Sequence, residues 1–143
     1  MPSQSKVCFF FEKKKVTLKE RSRLKDFIES IFRREKKKLK SINYVFTSDQ
    51  EVLKINREYL NHDYFTDIIS FDLSEGIATN AEVYISVDRV TDNATKIKTT
   101  VRSELHRVIF HGALHLCGYS DKTKKDMQVM RQKEDSYLAL YFK

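Results

Sequence analysis

The stretch Val101–Asp121, VRSELHRVIFHGALHLCGYSD, decides how the rest of the chain is read. At about 100° per residue, Val101, Leu105, Val108, Ile109 and Leu116 fall on one side of a helix, and Phe110, Leu114 and Cys117 on another. A helix apolar over most of its circumference belongs at the centre of a fold. The spacing predicts this helix over 101–117, stopped by Gly118, a residue suited to the left-handed position past a helix end. The remaining face carries Glu104, Arg107, His111 and His115.

Outward from that helix, both periods of regular structure are visible. Val7–Phe11 is short and aromatic-rich, as a buried strand is. Thr17 and Glu20 have the spacing of a capping box, and Leu24, Phe27, Ile28 and Ile31 follow at helical spacing, predicting a helix to about Lys37. Ile42, Tyr44 and Phe46 alternate with Asn43, Val45 and Thr47 as in a strand. Ser48 and Glu51 form a second capping box, opening a helix through Val52, Ile55 and Tyr59. Residues Asn61–Thr66 read as a loop, Asp67–Leu73 and Glu82–Val87 as strands, and the residues after Val87 as a short helix through Val90 and Ala94. A last helix places Met127, Met130, Tyr137 and Tyr141 on one stripe. The expected fold is α+β: one mixed four-stranded sheet packed with about five helices, its central buried helix bearing the metal ligands proposed below.

The chain has 143 residues, enough for a single domain over 1–143. Its 41% hydrophobic content excludes wholesale disorder, and three Gly with one Pro argue against a turn-rich sandwich. Cys8 and Cys117 lie far apart in the sequence and belong to no paired Cys motif, which argues against a disulfide framework and favours a reducing compartment. The start, MPSQSK followed by VCFFF, has too short an apolar run for a secretory signal, and no segment reaches membrane-helix length. A cytoplasmic location is the expectation, without a membrane partner. The 27 Lys and Arg against 20 Asp and Glu give a net charge of +7. Basic residues cluster at Lys13–Lys15, Arg33–Lys40 and Lys122–Lys125, a pattern that favours a polyanion such as nucleic acid, though a solvated surface has the same composition.

His111 and His115 lie one helical turn apart on one face, where both rings can aim a nitrogen at one point. Asp121, past the Gly118 break, can return toward that point. Imidazole nitrogen and carboxylate oxygen are ordinary zinc ligands, and three protein ligands leave a coordination position open for water, as catalytic sites do. The other reading of the pair is two hydrogen-bonded core imidazoles, and of Asp121 an N-cap of the last helix. Cys117 points away from the histidine face and reads as core.

HGALHLCGY (residues 111–119) resembles the signature of the YbeY family of bacterial ribosomal RNA maturation factors, described as single-strand-specific endoribonucleases. Asn56 and Tyr59, then Asp63 with Thr66-Asp67-Ile68-Ile69-Ser70-Phe71, resemble its other hallmark, an N-x-x-Y/F segment leading into TDVLSF. Glu82–Ser86 looks like the strand that follows. The resemblance implies one zinc ion per chain held by His111, His115 and Asp121. It also implies cleavage of single-stranded RNA in maturation of the small-subunit ribosomal RNA 3′ end and in ribosome quality control. The implied partner is ribosomal RNA or a ribosomal subunit, with nothing pointing to DNA. This chain departs from the family at Asp121, where the usual third ligand is His, and at Leu60, where an Arg implicated in activity often stands. Arg57 and Arg107 are the candidates for that cation, and no other catalytic residue is assigned.

Two rival functions remain at this level. A non-enzymatic RNA-binding assembly factor with a structural metal is favoured by the missing Arg. Metzincin-type peptidases share the ligand spacing, but their general-base Glu after the first His is here Gly112.

Overall fold

A computed structural model describes residues 5–143; Met1–Gln4, where the N-terminal segment read above begins, lie outside the described part. The chain runs β1 (Val7–Phe11), α1 (Arg21–Arg34), β2 (Leu39–Thr47), α2 (Asp49–Leu60), β3 (Ile68–Asp72), β4 (Thr79–Ser86), α3 (Val87–Lys96), α4 (Val101–Leu116) and α5 (Lys124–Tyr141). The four strands form one sheet in the order β1-β2-β4-β3. β1 and β4 pair parallel with β2, while β3 runs antiparallel to β4. The sheet is therefore mixed and the fold α+β, as expected.

Alternation along β4 divides the layers. Val83 and Ile85 enter the main core with Leu105, Val108, Ile109 and Phe110 of α4, whereas Tyr84 joins Phe71, Ile69, Val52 and Ile55 beneath α2. Helix α4 packs against α1, α3, α5 and strands β3 and β4, so it is the central helix its periodicity predicts. Tyr44, fully buried on β2, donates its hydroxyl to the Ile109 carbonyl across 3.0 Å and fixes the helix on the sheet. Cys117 is buried in this core, its thiol pushed up to about 12 by burial, so it is the packing residue its position predicts. A Cβ on Gly112 would stand 3.0 Å from Ile68 Cδ1 and 3.3 Å from Val83 Cγ1. Position 112 thus faces the sheet, where a peptidase's general base has no room.

Several boundaries differ from expectation. The Thr17–Glu20 box does not form: α1 begins at Arg21, after Glu20 in a left-handed conformation with no side-chain cap. Leu18 is drawn into the core instead, and the Glu20 carboxylate pairs with Arg23 and Arg102. Helix α1 also stops at Arg34, short of Lys37. Glu35 there accepts hydrogen bonds from the hydroxyls of Tyr119 and Tyr137 and from Lys133, tying the helix end to α5. The second box forms by half: Ser48 caps the Glu51 N–H at 3.2 Å, but the Glu51 carboxylate pairs with Lys13. Strand β4 begins at Thr79, three residues before the expected Glu82, and Ser86 caps α3. No helix of the described residues is long and apolar enough to cross a membrane.

Candidate functional site

Helix α4, the start of β3, the turn after Gly118 and one face of α5 enclose a cleft of about 370 Å³. Gly118 makes the turn possible. Its φ of +109° is a conformation that side chains rarely adopt, and it lets the Tyr119 N–H reach the Leu114 carbonyl at 3.1 Å. The chain then returns Asp121 to the cleft mouth, where its Oδ2 lies 3.6 Å from His111 Nε2. The other ring nitrogen, Nδ1, is 2.7 Å from Glu134 Oε2. Glu134 is buried on α5 and also accepts from Arg107 at 3.1 Å; Arg107 in turn reaches Asp135 at 2.8 Å and lies near Glu104.

This chain of contacts sets the chemistry of His111. A buried carboxylate on Nδ1 selects the tautomer with the proton there, leaving the Nε2 lone pair toward Asp121. Burial by itself pushes the ring's pKa down, but Glu134, Asp67 and Asp121 outweigh it and hold it above the ordinary value. The other acids respond in the opposite sense. Burial pushes the Asp67 carboxyl up against the pull of His111, and pushes Glu104 up against Arg107 and Arg131. Glu104 Oε1 is buried without a hydrogen-bond partner. The cleft lining thus combines the acids Asp67, Glu104, Asp121 and Glu134 with the cations Arg107 and Arg131 around the two histidines.

The sequence-predicted residues are not placed alike. His111, His115, Asp121 and Arg107 all line the cleft. His111 and Asp121 are in mutual contact; His115 is exposed one turn on, and among the described residues no three His, Cys, Asp or Glu side chains converge as a metal-binding group. The N-cap of α5 is Thr123, which accepts from the Asp126 N–H at 3.0 Å, so Asp121 is free of that task. Arg57 lies on the exposed surface of α2, paired with Asp63 and not among the cleft residues. Sequence reading missed Glu134 and the cleft position of Arg131. The signal for Glu134 was there: a carboxylate inside the stripe of Met130, Tyr137 and Tyr141, all buried.

The donor set fits a zinc ion in one specific respect. Two ligand atoms on a tetrahedral zinc stand about 3.4 Å apart, close to the His111–Asp121 separation, and a carboxylate behind a ligating imidazole is its usual outer partner.

A mixed sheet whose buried central helix turns a histidine face to the cleft makes this a small α+β protein with its site on that helix. Residues 9–141 match the family model described as Endoribonuclease YbeY. The chain is 45% identical over 135 residues to the Endoribonuclease YbeY of Cytophaga hutchinsonii, covering 94% of each, and 46% identical over 116 residues to that of Flavobacterium psychrophilum, covering 81% and 83%. The solution structure of TM1509 from Thermotoga maritima is similar at a TM-score of 0.63 and 25% identity, over 94% of this chain and 89% of that one. The chain belongs to the YbeY endoribonuclease family.

Proposed function

We propose that the protein is a zinc-dependent endoribonuclease that cleaves single-stranded RNA in the cytoplasm. Its proposed substrate is ribosomal RNA, cleaved in maturation of the small-subunit 3′ end and in ribosome quality control. Family membership supports the nuclease activity. The metal reading is carried by one observation, the His111 ring held by buried Glu134 on one nitrogen and facing Asp121 at 3.6 Å on the other. His111, Asp121 and His115 are the proposed ligands of one ion per chain.

When bound, zinc supplies Lewis acidity toward a phosphoryl oxygen and acidity to a water molecule. The chain's own residues do the rest. Glu134 orients His111, and Arg107, bound to both Glu134 and Asp135, keeps the Glu134 side chain in place; Arg107 is a positioning residue. Arg131, exposed on the cleft wall, can meet a backbone phosphate. The exposed basic residues Arg33, Arg34, Lys36, Lys37, Lys38 and Lys40 steer the polyanion.

The test is cleavage of a single-stranded and a duplex RNA by purified protein, with and without chelator. Cleavage of the single strand alone, abolished by chelator and restored by zinc, is the expected result. A protein that holds zinc and binds RNA but leaves it intact is instead a non-enzymatic assembly factor.

A further inference from the structure

The loop between α2 and β3 leaves two aromatic rings in solvent at the lip of the cleft. Tyr64 and Phe65 are 55% and 45% exposed, although burial of such rings is favourable. The backbone beneath them is fixed. Asn56, buried on α2, donates its side-chain amide to the Tyr64 carbonyl at 3.0 Å, and its own carbonyl accepts from the His62 N–H at 3.1 Å. Thr66 and Asp67, next in the chain, already form the cleft wall. Basic and aromatic groups flank the rings. The His62 ring stacks on Tyr64 with centroids 5.2 Å apart, and the Arg89 guanidinium lies 5.3 Å above Phe65, itself held by Asp49 at 2.7 Å.

We infer that Tyr64 and Phe65 are a stacking platform for unpaired nucleobases of an RNA strand whose backbone enters the cleft, an inference that rests on the RNA-cleaving reading above. Flat rings on a fixed backbone bind base faces with little ordering cost, and only a single strand has base faces to offer. The platform therefore selects single strands over duplex without reading sequence. A nucleobase suits this position better than a protein side chain, because the chain passes from the rings directly into Thr66 and Asp67 of the cleft wall, and Arg89, paired with Asp49 and Asp92, lies over Phe65 on a chain of charge +7.

Fluorescence anisotropy with an oligoadenylate, and with a strand of equal length carrying abasic positions, tests this. Tyr64→Ala and Phe65→Ala should each weaken binding of the intact strand roughly tenfold. Both should leave affinity for the abasic strand and the salt slope as in the parent protein, and Tyr64→Phe should bind normally. Undiminished affinity of the alanine variants for the intact strand overturns the inference, as does an equal loss on both strands. Unchanged RNA affinity with lost binding to ribosomal subunits also overturns it, assigning the rings to a protein partner. Cleavage is read separately. A protein that shows the stacking effect without cleaving RNA refutes the nuclease reading alone, and one that cleaves while its alanine variants bind normally refutes the platform alone.

Discussion

Thr123, not Asp121, caps α5, so the two can be separated experimentally. Asp121→Ala should weaken zinc binding and leave the melting temperature of the metal-free protein unchanged. Thr123→Ala should cost about 1 kcal/mol of stability and leave zinc affinity alone. Equal melting losses in both variants would return Asp121 to a structural role. Asp121→His should keep zinc, and the more positive complex should move the pH profile of cleavage to lower pH. Glu134→Gln keeps an acceptor at His111 Nδ1 but removes its charge, and zinc affinity should fall roughly 10–100-fold in a competitive chelator titration. The histidine pair was legible in the sequence because both rings lie on one helix, one turn apart. Glu134 lies 23 residues from His111, and only the packing of α5 on α4 joins them. A carboxylate breaking an apolar stripe was the sole local trace of that contact.

Among elements, α4 and α5 are locked by an aromatic group around His106. This residue is 1% exposed, its ring is stacked on Tyr141 with centroids 5.3 Å apart, and Nδ1 donates to the Arg102 carbonyl at 2.7 Å. Burial holds the ring below its ordinary value of 6.5, so the unfolded chain takes up a proton that the folded chain resists. His106 thus favours folding fully above that value, and its contribution is lost as pH falls through the lower folded value. His106→Phe, which keeps the stack, should flatten the fall in melting temperature below about pH 6.5. Parallel pH dependence in the two proteins would contradict this. The same scale shows where sequence patterns mislead. The capping boxes at Thr17 and Ser48 look alike, yet only Ser48 caps its helix. The first box fails because burying Leu18 pulls the backbone out of the geometry that Thr17 needs. Periodicity located the elements because it reflects burial of whole faces; single caps yield to one buried side chain.

For the whole molecule, charge is unevenly placed: acids and arginines mix in the cleft while the Arg33–Lys40 run lies exposed where α1 passes into β2. Neutralising this run should lower affinity for many RNA sequences alike and flatten the salt dependence by about one unit of slope per lost phosphate contact. An unchanged slope would make the run a solvated face. Sheet membership was legible in the strands, but the order β1-β2-β4-β3 was not. It depends on where the connections through α1 and α2 set down β2 and β3, which no local pattern encodes.

The proposed function requires that His111 anchor a zinc ion needed for RNA cleavage. Elemental analysis of the parent protein and of His111→Ala, each paired with a cleavage assay on single-stranded RNA, decides this. One zinc per chain and cleavage are expected in the parent protein, with both lost in the variant while its fold is retained. One tightly bound zinc in His111→Ala, or cleavage undiminished without it, would remove His111 from that role.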